Sequence, residues 1–120
     1  MKRSYLLLFS VLFSAQLFTA MSEEQILLSQ SGVHIEYNEP ADMPEAVYYD
    51  SDEEEIIIVA DGFSSYYNVV IIRNTPWQTV ISTQISGYGD TIDVSSLSPG
   101  NYTIVITSEY NNVFEGHFII

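Results

Sequence analysis

The chain contains no cysteine and only three strong bases among its 120 residues, against 16 acids. Without cysteine there is no disulfide scaffold, no Cys-ligated zinc, no iron–sulfur cluster, no thiol nucleophile and no N-terminal Cys to lipidate. So few bases exclude a nucleic-acid function, because phosphate backbones demand Lys and Arg. They also leave no cationic cluster to clamp a phosphate group. Helical periodicity is missing too: no heptad, no internal repeat and no amphipathic stretch of trustworthy length occurs. One domain at most fits this length.

What is present begins with an export segment. Met1-Lys2-Arg3 is a positive start, Tyr5 to Phe13 is nearly unbroken apolar chain, and Ala20-Met21-Ser22 places small residues at the −3 and −1 positions of a cleavage site. The apolar run is too short for a spanning helix, which needs ~20 residues, and Gln16 interrupts its second half. Residues 1–22 are therefore predicted to be a cleaved signal peptide, with a cut after Ala20 as the alternative, and 23–120 the mature domain. Cleavage removes Lys2 and Arg3 and leaves Arg73 as the only strong cation facing all 16 acids. An exported chain without cysteine suits a bacterial periplasm, cell surface or secreted setting. No membrane insertion is expected to persist after cleavage.

The mature chain carries strand signals throughout. These are β-branched and aromatic runs broken by Gly, Pro, Asn and Asp. Strands are predicted at Ile26-Leu27-Leu28, Val33 to Tyr37, Ala46 to Tyr49, Glu55 to Ala60, Tyr67 to Arg73, Trp77 to Ile85, Thr91 to Val94, Tyr102 to Thr107 and Val113 to Ile120. Trp77, Thr79, Ile81, Thr83 and Ile85 are expected on one face of their strand. Asp50 to Glu54 reads as an acidic turn, and Asn111-Asn112 as a hairpin turn because Asn tolerates positive φ. Seven or eight short strands with hairpin connections indicate an all-β antiparallel sandwich of immunoglobulin-like type, with a closed barrel as the alternative. Leu97, Pro99, Gly100 and Tyr102 form the expected structural corner, in which the Tyr102 hydroxyl swings back to the backbone near Leu97.

The run from Ile92 to Ile106, which holds that corner, resembles the penultimate-strand region of fibronectin type III-like bacterial sandwiches. With the signal peptide, the Ala46-Val47-Tyr48-Tyr49 strand and the ending from Phe114 to Ile120, residues 24 to 120 resemble a small exported Bacteroidetes-type family of unknown function. In that family one immunoglobulin-like sandwich is the whole mature protein. The Arg73-Asn74-Thr75-Pro76-Trp77 and Asn111-Asn112 loops lack the family's usual glycines. The resemblance implies no catalytic residue. The same corner also occurs in C-terminal sorting domains of type IX secretion, which follow a large cargo and tend to end in basic residues.

A search for chemistry returns little. His34 and His117 lie far apart in the chain, and neither belongs to a His-x-x-x-His pair. No Gly-x-Ser-x-Gly elbow occurs. Ten of the 16 acids fall between Glu36 and Asp61, in or beside turns rather than opposed across a cleft. Asp50, Asp52 and Glu54 are weak metal candidates, in a site that Asp42 or Glu45 could share; a calcium loop would need a central Gly and a terminal bidentate Glu, and at most three of these carboxylates can converge. Thr91, in Asp90-Thr91-Ile92, matches the acceptor pattern for O-glycosylation in exported Bacteroidetes proteins.

The aromatics are more informative. Tyr48-Tyr49 and Tyr66-Tyr67 are adjacent pairs, so one ring of each points away from the core. Tyr88 and Tyr110 fall in turns, and exposed Tyr and Trp supply stacking faces for sugars or anchors for proteins. The sequence thus predicts no enzyme and no cofactor, but a monomeric acidic binding module for a protein or glycan. The alternative is an assembly subunit that pairs through its last strand, Val113 to Ile120, which carries neither Lys nor Pro to block an edge.

Overall fold

The computed structural model describes residues 22–30 and 40–120. Residues 1–21 of the predicted signal segment and the predicted Val33 to Tyr37 strand, with His34, lie outside the described residues; Ser22, its last residue, accepts from the Ser51 amide at 3.0 Å. Nine strands occur among the described residues: β1 (Glu23–Gln25), β2 (Ser29–Gln30), β3 (Ala46–Asp50), β4 (Glu55–Val59), β5 (Tyr66–Asn74), β6 (Trp77–Ser86), β7 (Gly89–Asp93), β8 (Asn101–Ser108) and β9 (Val113–Ile119). They form two antiparallel sheets, ordered β1-β3-β4-β7 and β2-β9-β8-β5-β6. The sheets stay separate, which makes the domain a sandwich and not a barrel.

Alternation builds the core. Val47 and Tyr49 of β3, Ile56 and Ile58 of β4, and Ile92 of β7 face inward from one sheet. Tyr67, Val69 and Ile71 of β5, Tyr102, Ile104 and Ile106 of β8, and Phe114 and Phe118 of β9 face them from the other. A period of two is what a sheet buried on one face requires. The ring of Phe118 lies between Tyr102, stacked at 5.5 Å, and Tyr49, tilted at 5.7 Å.

Three local expectations are corrected. Ile26-Leu27-Leu28 is not a strand but the crossing between sheets: β1 pairs with β3, and β2 pairs with β9. The Ile26 amide still donates to the Val47 carbonyl at 2.7 Å, its side chain is buried, and Leu27 is exposed. Gly116 permits this crossing, since a Cβ there would come within 2.6 Å of Ile26 Cγ2. Second, β6 does not alternate continuously. A bulge at Val80 sets Thr79 opposite Ile72 and Ile81 opposite Ile71, so Trp77 and Thr79 share the outer face while Ile81, Thr83 and Ile85 share the inner one. Third, β7 begins two residues before the predicted start. Gly89, at φ 103°, lets the chain run hard against the Ile58 carbonyl, where a Cβ would sit 2.1 Å away.

The final strand is not a free edge along its whole length either. Ser29 and Gln30 pair with Glu115 and Phe114 on its outer side. This covers two residues of the edge on which the assembly alternative rests. The strand whose outer edge no described strand pairs with over a long run is β6.

Candidate functional site

Four connections meet at one end of the sandwich: 40–45, 60–65, 87–88 and 109–112. Backbone bonds stitch them together, with the Gly62 amide donating to the Gly87 carbonyl and the Gly87 amide to the Ser65 carbonyl, each at 3.0 Å. Buried Ser64 donates its hydroxyl to the Tyr66 carbonyl at 2.6 Å and accepts from the Glu109 amide at 3.0 Å. The Ser65 amide donates to the Glu109 carboxylate at 2.6 Å. Beneath them, buried Asp42 accepts from the Ser108 hydroxyl at 2.5 Å and from the Asn112 side-chain amide at 2.8 Å. Its carbonyl accepts from the Tyr67 hydroxyl at 2.8 Å. Burial, then the charges of Asp42 and Asp61, push the Tyr67 phenol up to about 12, so it stays a donor at any physiological pH. A polar network with every partner in place gives these loops a rigid base.

On this base stand three large aromatic side chains from three separate loops. Phe63 is 54% exposed, Tyr88 76% and Tyr110 55%. The Phe63 and Tyr110 rings meet at 5.9 Å with a 59° tilt. The Tyr88 ring covers Gly62, where a Cβ would lie only 2.5 Å from it. Asp61, which accepts from the Phe63 amide at 3.0 Å, and Glu109 beside Tyr110 border the group. The charge of Glu109 raises the Tyr110 phenol above its ordinary value. No Lys or Arg lies in these loops. Such a surface offers ring faces for the CH face of a sugar or for an apolar or cationic side chain, with carboxylates as hydrogen-bond acceptors.

Tyr88 and Tyr110 are turn residues that the sequence marks; Phe63, Asp42, Ser64 and Glu109 are not anticipated there. For Phe63 the available clue is an aromatic ring inside a run of turn formers, Asp61-Gly62-Phe63-Ser64-Ser65. Asp42 carries no local clue, because its partners lie 66 and 70 residues away.

The remaining candidates lie elsewhere. At the opposite end, Asp50 spends one carboxylate oxygen capping its own turn, accepting from the Asp52 and Glu53 amides at 3.0 and 3.2 Å. Asp52 and Glu54 are exposed, and Glu54 takes a positive φ of 55°. Among the described residues no three His, Cys, Asp or Glu side chains gather where they could hold a metal ion. In the corner, the Tyr102 hydroxyl donates to the Ser98 carbonyl at 2.5 Å, with Leu97 half-buried beside it. Between Pro99 and Tyr102, Gly100 exchanges backbone bonds with Ile120. Thr91 is exposed on β7, an edge strand. His117, on the outer face of β9, meets the Thr103 hydroxyl through Nδ1 at 3.0 Å and Glu115 at 3.8 Å. Trp77, 67% exposed, stands on the outer face of β6 at the end away from the aromatic group.

No family model and no curated protein matches the chain. Among solved structures, a DUF3244 family protein with an immunoglobulin-like β-sandwich fold from Bacteroides vulgatus superposes with a TM-score of 0.65 at 14% identity. The match covers 82% of this chain and 98% of that one. At this identity the likeness shows the fold: an immunoglobulin-like β-sandwich.

Proposed function

We propose that this chain is an exported, non-catalytic binding module of the periplasm or cell surface, related to the small bacterial immunoglobulin-like family that its structural neighbour represents. Its recognition surface is the loop end bearing Phe63, Tyr88 and Tyr110, and its partner is a protein or glycan. One observation carries this reading: three exposed rings from distant parts of the chain are gathered on a base of satisfied buried polar groups. Isolated exposed apolar residues are ordinary on protein surfaces, but a cluster with rigid support is a feature of binding sites. The signal peptide expected from the sequence is the ground for the location.

The test compares the mature chain with a Phe63→Ala, Tyr110→Ala variant. Both are tagged, exposed to an envelope extract of the host and to a glycan array, and read by mass spectrometry and fluorescence. The variant should melt close to the parent, since both rings are more than half exposed. A partner held by the parent and lost by the variant supports the reading. A partner held equally by both places recognition elsewhere and refutes it.

A further inference from the structure

The edge strand β6 has properties that the binding end does not use. From Asn74 to Gly89 the sequence carries no charged residue, in a chain with 16 acids. Every other edge differs. β1 bears Glu23 and Glu24, β7 bears Asp90 and Asp93, and β2 spans two residues. Natural edge strands are protected by charge, Pro or distortion. β6 has no charge and no Pro, and its one bulge, at Val80, leaves Ile81 to Ser86 regular. Among the described residues nothing pairs with its outer side.

We propose that β6 pairs antiparallel with β6 of a second copy of this chain, across a two-fold axis at Thr83, joining two five-stranded sheets into one of ten strands. The register follows from the pleat. Opposed residues in a continuous sheet must point to the same face, so the dyad has to pass through a residue and not between two. With Thr83 on the axis, Ile81 faces Ile85 of the second copy and Thr83 faces its own counterpart on the inner side. Ser82 faces Gln84 of the second copy on the outer side. Apolar thus meets apolar, and polar meets polar, with Thr opposite Thr, a favourable cross-strand pair. Such self-complementarity is what an isologous interface requires. Charge selects the same partner. Two strongly acidic molecules repel wherever carboxylates meet, and β6 is the long edge where none would. A basic partner strand would be drawn instead to the acidic edges. A contact limited to about five residue pairs is small, so the dimer is concentration-dependent and strengthens as salt screens the net charge.

The test exploits the absence of cysteine. Thr83→Cys gives each chain one thiol, placed beside its counterpart on the axis, where opposed Cβ atoms lie ~4.5–5.5 Å apart and small adjustments allow a disulfide. Thr79→Cys is the control. It too is exposed on the same strand, but the register puts the two copies of that residue roughly 27 Å apart at ~3.4 Å per residue. Under mild oxidation the Thr83→Cys protein should form linked dimer at least about tenfold faster than the control, the advantage of holding two thiols in place. Sedimentation of the cysteine-free parent should show mass rising with concentration and salt. Ser82→Glu with Gln84→Glu, which sets like charges opposite one another at exposed sites, should abolish that rise without changing the melting curve. Equal crosslinking rates at the two positions overturn the proposal, and so does a dimer that survives the double substitution. Neither readout involves Phe63 or Tyr110, so this inference and the loop-end reading fail independently.

Discussion

Two buried tyrosine hydroxyls allow a direct test of what a lost hydrogen bond costs in this fold. Tyr67 and Tyr102 are both fully buried, and both donate to a carbonyl outside their own strand. Their acceptors differ. The Ser98 carbonyl belongs to an exposed corner residue, whereas Asp42 is buried under the loop base. Changing either Tyr to Phe keeps the ring and its packing, including the Tyr102–Phe118 stack. What changes is the fate of the abandoned carbonyl. At Ser98 water can replace the phenol, so Tyr102→Phe should cost only the net value of one bond, about 1 kcal/mol. At Asp42 no water reaches the carbonyl, and Tyr67→Phe should cost about 2 kcal/mol, the desolvation penalty of an unsatisfied acceptor. With ~4–8 °C of melting temperature per kcal/mol in a domain of this size, the two variants should separate clearly. Urea unfolding should show shifted midpoints at unchanged slope, since neither change alters the surface exposed on unfolding. Tyr67 lies at the Ser108 end of β8 and Tyr102 opposite Arg73, so the double variant should be additive within about 0.5 kcal/mol. Equal losses, or a larger loss at Tyr102, would refute the reasoning that acceptor burial sets the cost.

Tyr67 also predicts alkaline behaviour. Its folded pKa, about 12, lies above the ordinary 10.0, so its stabilising contribution is whole below pH 10.0 and is lost as pH climbs toward 12; thermal melts should decline over that window less steeply in Tyr67→Phe. Gly87→Ala should destabilise severely or prevent folding, because its Cβ would lie 1.7 Å from the Ser64 carbonyl oxygen, and circular dichroism melts will report it. Sodium and calcium chloride at matched ionic strength should raise the melting temperature alike, since one Asp50 oxygen already caps its own turn and no three carboxylates gather there; a calcium-specific rise abolished by Asp50→Asn with Asp52→Asn would make that turn a metal site.

The sequence by itself determined the class of fold and most of its strands. Alternation at Ala46 to Tyr49, Tyr102 to Thr107 and Val113 to Ile120 is a local, period-two property, and one buried face reads it out directly. The tyrosine corner is equally local, with the hydroxyl of Tyr102 reaching a carbonyl four residues back. Only the tertiary structure decided the rest. The bulge at Val80 is invisible in composition, because an extra residue reverses the faces without changing the residue types. The crossing at Ile26 to Leu28 depends on Gly116, 90 residues further along the chain from Ile26. Tyr88 and Tyr110 declare themselves as turn aromatics, but their convergence with Phe63 over Asp42 is set by contacts between segments tens of residues apart. Which edge remains open follows from the order of strands across a sheet, and strand order is a long-range property that no window of sequence contains.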